Sequence, residues 1–173
     1  MISTLIAAAL TANMQAVDFH SKLQKDEMAK LNFLVGYWEG TTTYYSGGRE
    51  IIVQGYENVR SVAGGTAILI DAQYTMDRGG QKIPIHDVAA IMRFDPEKKV
   101  HLMRSQLGNG LTGEYEIKVR ENGYDWSTQG ITGTGTTDYV MNISPEGDWV
   151  EVGYSVDGDK RTKLMELRLK KIK

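Results

Sequence analysis

The sequence predicts an all-β protein: a single antiparallel, up-and-down β-barrel of about ten strands with a short N-terminal helix. Glycine is abundant at 19 residues and proline scarce at 3, which is typical of many strands joined by glycine turns. Turn motifs recur every 8 to 12 residues or so, and apolar and polar residues alternate between them, most clearly in residues 165–170. No crossover helix is predicted, so consecutive strands should pair, and closure into a barrel removes exposed edges. A two-sheet sandwich is the alternative.

Length and composition limit the class of protein. The chain has 173 residues, of which 41% are hydrophobic, enough for one core and one domain. Its net charge is −2 and its basic residues are interspersed with acidic ones, which argues against a nucleic-acid partner. It has no cysteine, which excludes disulfides, a thiolate nucleophile and cysteine metal sites.

Residues 1–16 are predicted to be a secretory signal peptide. The segment 2–16 carries no charge, contains an apolar stretch at residues 5–10, and offers a cleavage point after Ala16. It is shorter than the roughly 20 apolar residues that span a bilayer. The sequence therefore predicts a periplasmic or secreted protein whose mature chain has no integral membrane segment. The alternative is an amphipathic or buried N-terminal helix.

Residues 17–34 are predicted to form a helix that covers one end of the barrel, and residues 35–173 to form the barrel. Asp18 is a suitable N-cap, and charged residues lie opposite an apolar stripe. The stripe consists of Leu23, Met28, Leu31 and Leu34. The first strand then begins at Gly36, and the Trp38 indole is expected to plug the floor of the barrel.

The remaining strands are delimited by turns. In chain order the turn motifs are Ser46-Gly47-Gly48, Ala63-Gly64-Gly65, Asp77-Arg78-Gly79-Gly80, Asp95-Pro96-Glu97-Lys98, Gly108-Asn109-Gly110, Asn122-Gly123, residues 130–135, Pro145-Glu146-Gly147-Asp148 and Asp157-Gly158-Asp159. Nine turns separate ten strands, each short enough for a simple hairpin connection.

Several strands carry polar residues on both faces, which predicts an internal cavity. In residues 50–60, Glu57 lies on one face of the strand among apolar residues, and Arg60 lies on the opposite face together with Ile52 and Tyr56. Residues 85–94 and 100–107 show the same pattern. Polar groups inside a small barrel are costly unless they bind each other, water or a ligand. A barrel of eight or more strands can enclose one small ligand.

Four motifs carry a resemblance to a known family. They are residues 33–40, residues 57–61 before Gly64-Gly65, His86-Asp87 leading to Phe94-Asp95-Pro96, and the Arg104 strand before Gly108. Over residues 31–172 the chain resembles the exported bacterial calycin-type barrels, which are catalogued as domains of unknown function. These are similar to nitrobindin and, more distantly, to lipocalins and fatty-acid-binding proteins. The resemblance implies a ten-stranded barrel that binds small apolar or amphipathic molecules.

The resemblance also bears on cofactors. Fatty-acid-binding proteins place a helical pair between their first two strands, whereas only Ser46-Gly47-Gly48 intervenes here, so the nitrobindin-like branch is the better match. Nitrobindins hold haem through a histidine near the C-terminal end of the barrel. The last histidine of this chain is His101, so haem is disfavoured and no cofactor is predicted.

Six residues are the predicted cavity and ligand-binding residues. They are Trp38, Tyr56, Arg60, His86, Arg104 and Trp126. An inward arginine could form a fork with a ligand carboxylate or phosphate. The alternatives are that either arginine pairs with Glu57 or Asp87, and that Trp38 is only a packing plug.

No residue is assigned a catalytic role. The chain has no nucleophile elbow and no clustered ligands for a transition metal, so no metal site is predicted. The sequence therefore favours binding of a small hydrophobic or amphipathic molecule. One alternative is a barrel-hosted enzyme of isomerase, cyclase or hydrolase type. The other is a protein-interaction module whose barrel is filled by its own side chains.

Overall fold

The strands follow the order predicted from the turns. A computed structural model describes residues 21–129 and 135–172. Within these ranges the strands are β1 Gly36–Ser46, β2 Arg49–Val62, β3 Ala67–Arg78, β4 Gln81–Asp95, β5 Val100–Leu107, β6 Thr112–Arg120, β7 Gly123–Gln129, β8 Thr136–Ile143, β9 Trp149–Asp157 and β10 Lys160–Lys171. Each strand pairs antiparallel with its chain neighbours, and β1 pairs with β10 to close the barrel. The predicted ten-stranded up-and-down barrel is confirmed, and the sandwich alternative is wrong.

Short connections alternate between the two ends of the barrel. The β1–β2 hairpin turns through Gly47 and Gly48, whose φ angles of 57° and 75° are those that favour glycine in two-residue turns. The β3–β4, β5–β6, β7–β8 and β9–β10 connections lie at the same end, which we call the hairpin end. The opposite end is the floor end. Most of the predicted turn at 130–135 lies outside the described residues.

The N-terminal helix ends earlier than predicted. Residues 21–29 are α-helical, and a separate 3-10 turn covers Asn32–Leu34. The α-helix ends because the amides of Lys30 and Leu31 bond carbonyls three residues back, which tightens the last turn. Residues 17–20 of the predicted helix, and the predicted signal peptide at 1–16, lie outside the described residues.

The helix closes the floor end. Gln24 Nε2 donates a hydrogen bond of 3.3 Å to the Phe94 carbonyl, and His101 Nε2 lies 3.3 Å from the Glu27 carbonyl oxygen. Met28 and Leu31 retain at most 1% of their exposed surface and belong to the barrel core. Burial of these apolar side chains therefore holds the helix against the strands.

Two tryptophans fill the floor of the barrel. The Trp38 indole N–H donates a hydrogen bond of 2.7 Å to the Leu34 carbonyl, and its ring meets Trp149 edge to face at 5.7 Å. Met141 and Leu169 beside them are fully buried. The floor end is thus packed, and the space inside the barrel lies above it, toward the hairpin end.

Candidate functional site

A cavity of about 410 Å³ lies inside the barrel above the tryptophan floor. Small-molecule sites usually measure about 300–1,000 Å³. Much of the wall is apolar, with Ile70, Val88, Ala90, Met103 and Leu167 on it. The polar groups on the wall are few and concentrated, so they decide what the cavity can recognise.

Two glutamates project into this cavity because of their register. On β2, Glu57 lies at every-second-residue spacing from the buried Val53 and Val59. On β9, Glu151 follows the buried Trp149 by two residues. Period-two alternation therefore places both carboxyl groups on the inner face. Both glutamates are half-buried on the cavity wall.

Among the described residues, one side chain donates a hydrogen bond to Glu57. The Tyr74 hydroxyl donates to Glu57 Oε1 at 2.9 Å. Gly55 is the Cα partner of Tyr74 on the neighbouring strand. A Cβ on Gly55 would overlap the Tyr74 ring, so only glycine leaves room for the ring at this position. Burial raises the pKa of Glu57 to about 8, although the Tyr74 hydrogen bond lowers it and the Glu151 charge raises it further. With this pKa, the protonated form of Glu57 predominates at neutral pH.

Glu151 is surrounded by indole N–H groups. Trp126 Nε1 donates to Glu151 Oε1 at 3.1 Å. Among the described residues, the buried Trp149 N–H has no acceptor of normal hydrogen-bond geometry, yet it lies close enough to help lower the Glu151 pKa. Burial has the larger effect and raises the pKa of Glu151 overall. Both glutamates are thus acids whose charge costs energy until something compensates it.

Aromatic rings form the wall beside Glu151. Trp126 stacks on Tyr139 with ring centroids 4.0 Å apart and an interplanar angle of 7°. The Tyr115 ring is tilted by 50° relative to Trp126, with the ring centroids 4.9 Å apart. Gly153 is the Cα partner of Tyr139 on the neighbouring strand. A Cβ on Gly153 would lie 3.0 Å from the Tyr139 ring, so glycine leaves room for that ring. Burial raises the pKa of Tyr139 to about 12, so this wall stays uncharged at neutral pH.

His86 also faces the cavity. A register shift between Tyr74 and Thr75 leaves Tyr74 opposite His86, and the two rings lie 6.2 Å apart. Burial lowers the pKa of His86, and the Asp87 charge opposes this only in part. The imidazole is therefore neutral at pH 7 and above.

Of the six residues predicted from the sequence, the structure brings two to the cavity wall. These are His86 and Trp126. Trp38 lies below them, buried in the floor against Trp149, where it acts as a packing plug.

The predicted positions of Tyr56, Arg60 and Arg104 inside the cavity are wrong. Tyr56 stacks on Tyr37 at 5.5 Å on the outer wall, and both arginines are exposed. The reason is the two-residue period: Arg60 is three residues from the inward Glu57, so the two point to opposite faces. The alternative pairing of Arg60 with Glu57 is wrong for the same reason.

The residues that sequence reasoning missed are the two acids and their aromatic neighbours. A signal for the acids was present. Glu57 lies between Val53 and Val59 on an otherwise apolar face, and Glu151 occupies the same face as Trp149. A carboxylate on the apolar face of a strand is expensive to bury, so it marks a site.

Neither a membrane-spanning helix nor a cluster of metal ligands occurs in the part of the chain that the structure describes. No helix there has the length and apolar character needed to cross a bilayer. The same residues include no group of three or more His, Cys, Asp and Glu side chains placed to hold a metal ion. Of the histidines described, His86 alone lines the cavity, and His101 packs between Phe94 and the helix.

The fold and the cavity define a class: small closed β-barrels with an interior chamber. Eighteen chains of solved structures match this fold. One is the crystal structure of Rv2717c from M. tuberculosis, which aligns with a TM-score of 0.60 and 13% sequence identity over 84% of this chain and 97% of that one. At this identity the likeness establishes the fold alone. No family model and no curated protein matches the sequence.

Proposed function

We propose that this protein binds a small hydrophobic or amphipathic molecule inside its barrel. The observation that carries the proposal is the cavity of about 410 Å³, whose apolar wall is interrupted by two buried carboxyl groups. An apolar wall gives affinity through burial of ligand surface, and a few polar groups fix its orientation.

The packing of the two ends supports this proposal. The floor end is filled by Trp38, Trp149 and the helix, whereas the space above them is empty of side chains. Substitutions of large core side chains by small ones show that an unfilled cavity lowers the stability of a protein. A ligand that fills the cavity offsets that loss of stability. The alternative of an interaction module depends on a fully packed barrel interior, and the cavity weighs against it.

The calycin-type resemblance and the predicted export belong to the same proposal. A ten-stranded up-and-down barrel with a helix across one end supports membership of the calycin group. The uncharged residues 2–16, with their apolar stretch and cleavage point after Ala16, support a periplasmic or secreted carrier. The mass of the mature chain recovered from a periplasmic extract tests the export step, because cleavage after Ala16 would remove sixteen residues.

A matched pair of variants tests whether the cavity is the binding site. Ala90→Phe places a ring in the cavity, while Ala89→Phe places the same ring on the outer face of β4, because Ala90 is buried and Ala89 is exposed. Binding is read from the fluorescence of Nile red, a neutral apolar dye. Melting temperatures of both variants report folding, and Ala90→Leu is the milder substitution if Ala90→Phe unfolds the barrel.

We expect the native chain and Ala89→Phe to bind the dye alike, and Ala90→Phe to bind it at least tenfold more weakly. Equal binding by all three folded proteins would contradict the proposal, since dye would then sit on the outer surface. No binding by the native chain, together with no thermal shift from a lipid panel, would also contradict it.

Acid-base catalysis in the same cavity is the second candidate, and a specific arrangement favours it. Tyr74 lies between Glu57, to which it donates a hydrogen bond, and His86, whose ring is 6.2 Å away. The pKa of Glu57 is raised and that of His86 is lowered. Such groups suit isomerase, cyclase or hydrolase chemistry. If turnover is found on an acyl, lipid or terpenoid panel, His86→Ala should abolish it without unfolding the chain.

A further inference from the structure

We propose that the ligand is a cationic amphiphile, an organic ammonium with an apolar tail, whose ammonium group lies between Glu57 and Glu151. This inference rests on the proposed function and names the chemical class of ligand. It reverses the expectation from sequence, in which Arg60 and Arg104 would receive a carboxylate or phosphate. Those arginines lie outside the barrel, and the charged groups inside are acids.

The sign of the charge in the cavity is the first argument. The Glu151 charge raises the pKa of Glu57, so ionising both acids is costly. The described residues that line the cavity include no lysine or arginine. An anionic ligand would bring its negative charge to two acids with no cation to meet it, whereas an ammonium group compensates their ionised forms.

The aromatic wall is the second argument. The stacked pair Trp126 and Tyr139, with Tyr115 beside it, adjoins the Glu151 carboxyl. Aromatic faces attract cations through their quadrupole, most strongly in sites withdrawn from water, and Trp is the best of the aromatic residues. Rings combined with a carboxyl group form a cage suited to an ammonium ion.

Unused hydrogen-bond capacity is the third argument. An ionised carboxylate offers about four acceptor positions. From the described residues, Glu57 accepts one hydrogen bond, from Tyr74, and Glu151 accepts one of normal geometry, from Trp126. Both side chains line the cavity, where a ligand can supply further donors. A primary ammonium donates three hydrogen bonds and can satisfy both acids, while its tail contacts Val88, Ala90 and Met103.

The pH dependence of binding follows from the groups that face the cavity. These are Glu57, Glu151, His86, Tyr44, Tyr74, Tyr115, Tyr124 and Tyr139. Burial lowers the pKa of His86 and raises the pKa of Tyr74, Tyr124 and Tyr139, so these four keep their charge state between pH 7 and 9. Glu57, with a pKa of about 8, loses its proton over this interval. An ammonium ligand needs the ionised form, so its affinity should rise about tenfold from pH 7 to 9.

The test compares three ligands with one tail and different heads: decylamine, 1-decanol and decanoate. Titration calorimetry at pH 7 and 9 measures each dissociation constant on the native chain, Glu57→Gln and Glu151→Gln. Glu116→Gln is the matched control, because Glu116 is an exposed carboxyl on the outer face of β6. The comparison of heads on the native chain holds even if a cavity variant fails to fold.

We expect decylamine to bind at least tenfold more tightly than decanol and decanoate, with the gain concentrated at pH 9. At pH 9, Glu57→Gln should weaken decylamine binding at least tenfold and leave decanol binding unchanged, and Glu116→Gln should change neither. Decanol or decanoate binding as tightly as decylamine would overturn this inference while leaving the proposed function intact. Failure of all three to bind would overturn both.

Discussion

The Tyr74 hydroxyl donates a 2.9 Å hydrogen bond to Oε1 of Glu57 inside the barrel. No other described residue donates a hydrogen bond to the Glu57 side chain. Burial raises the pKa of Glu57 to about 8, and the Tyr74 hydrogen bond partly opposes this effect. The pair therefore controls how much negative charge the cavity carries at neutral pH. Four predictions follow from it and from the helix that closes the floor.

Glu57→Gln should make the stability of the protein less dependent on pH. The folded-state pKa of Glu57 lies above its ordinary value of 4.5, so its contribution is fully present below pH 4.5 and is lost as pH rises to about 8. Removing the acid should increase the free energy of unfolding at pH 9 by about 1–3 kcal/mol. At pH 4 the gain should vanish. Urea unfolding at the two pH values measures this, and an equal effect at both would refute the assignment.

Tyr74→Phe should raise the pKa of Glu57 above about 8, because it removes the hydrogen bond that favours the charged form. It should also cost about 1 kcal/mol of stability, the usual net value of one hydrogen bond. Carbon-13 NMR titration of labelled glutamate reports the pKa directly. Tyr56→Phe, on the outer wall, is the control and should leave the Glu57 titration where it was. A Glu57 pKa that stays the same or falls in Tyr74→Phe would count against the account.

Gly55→Ala should displace the Tyr74 ring. The new Cβ would overlap that ring and the Gln73 carbonyl oxygen. Overpacking of this kind costs about 1–3 kcal/mol. Gln54→Ala on the outer face of the same strand is the control, with an expected change within about 0.5 kcal/mol. Chemical denaturation measures the free energy of unfolding of both variants. Equal stability of the two would show that the close approach of Gly55 and Tyr74 does not affect stability.

Acidification should loosen the helix at the floor end. Burial lowers the pKa of His101, the carbonyl and charge of Glu27 raise it, and Lys30 lowers it. With a folded-state pKa below 6.5, the unfolded chain binds the proton first, so stability is lost as pH falls below about 6.5. Amide exchange of residues 21–29, corrected for intrinsic rates, should therefore accelerate between pH 7.5 and 5.

His101→Gln provides the control for the helix, because glutamine does not titrate in this range. Its exchange rates should change less between the two pH values than those of the native chain. If the native helix is equally protected at pH 7.5 and 5, His101 does not couple the helix to pH.

The fold could be predicted from sequence because its signals are local. Paired glycines such as Gly47-Gly48 specify hairpin turns, and a chain of short hairpins allows few topologies other than a meander. The helix boundary was less accurate, because residues 30–34 continue the apolar stripe although their backbone tightens into a 3-10 turn.

The cavity was harder to predict because strand periodicity separates two faces without saying which is inward. On β2, Ile51 and Ile52 are both exposed, so apolar character there does not identify the core face. The choice of Arg60 rather than Glu57 as the inward group followed from that ambiguity. The contact of Trp126 on β7 with Glu151 on β9 joins residues 25 positions apart across the intervening strand β8, and it has no local signal.

Native mass spectrometry of the purified chain shows whether the cavity holds a small molecule. We predict a stoichiometric adduct that is released on denaturation, is absent from Ala90→Phe and persists in Ala89→Phe. Denaturing extraction then identifies its chemistry. An unliganded mass for the native chain, together with no thermal shift from lipid, alkylamine and haem panels, would contradict the claim.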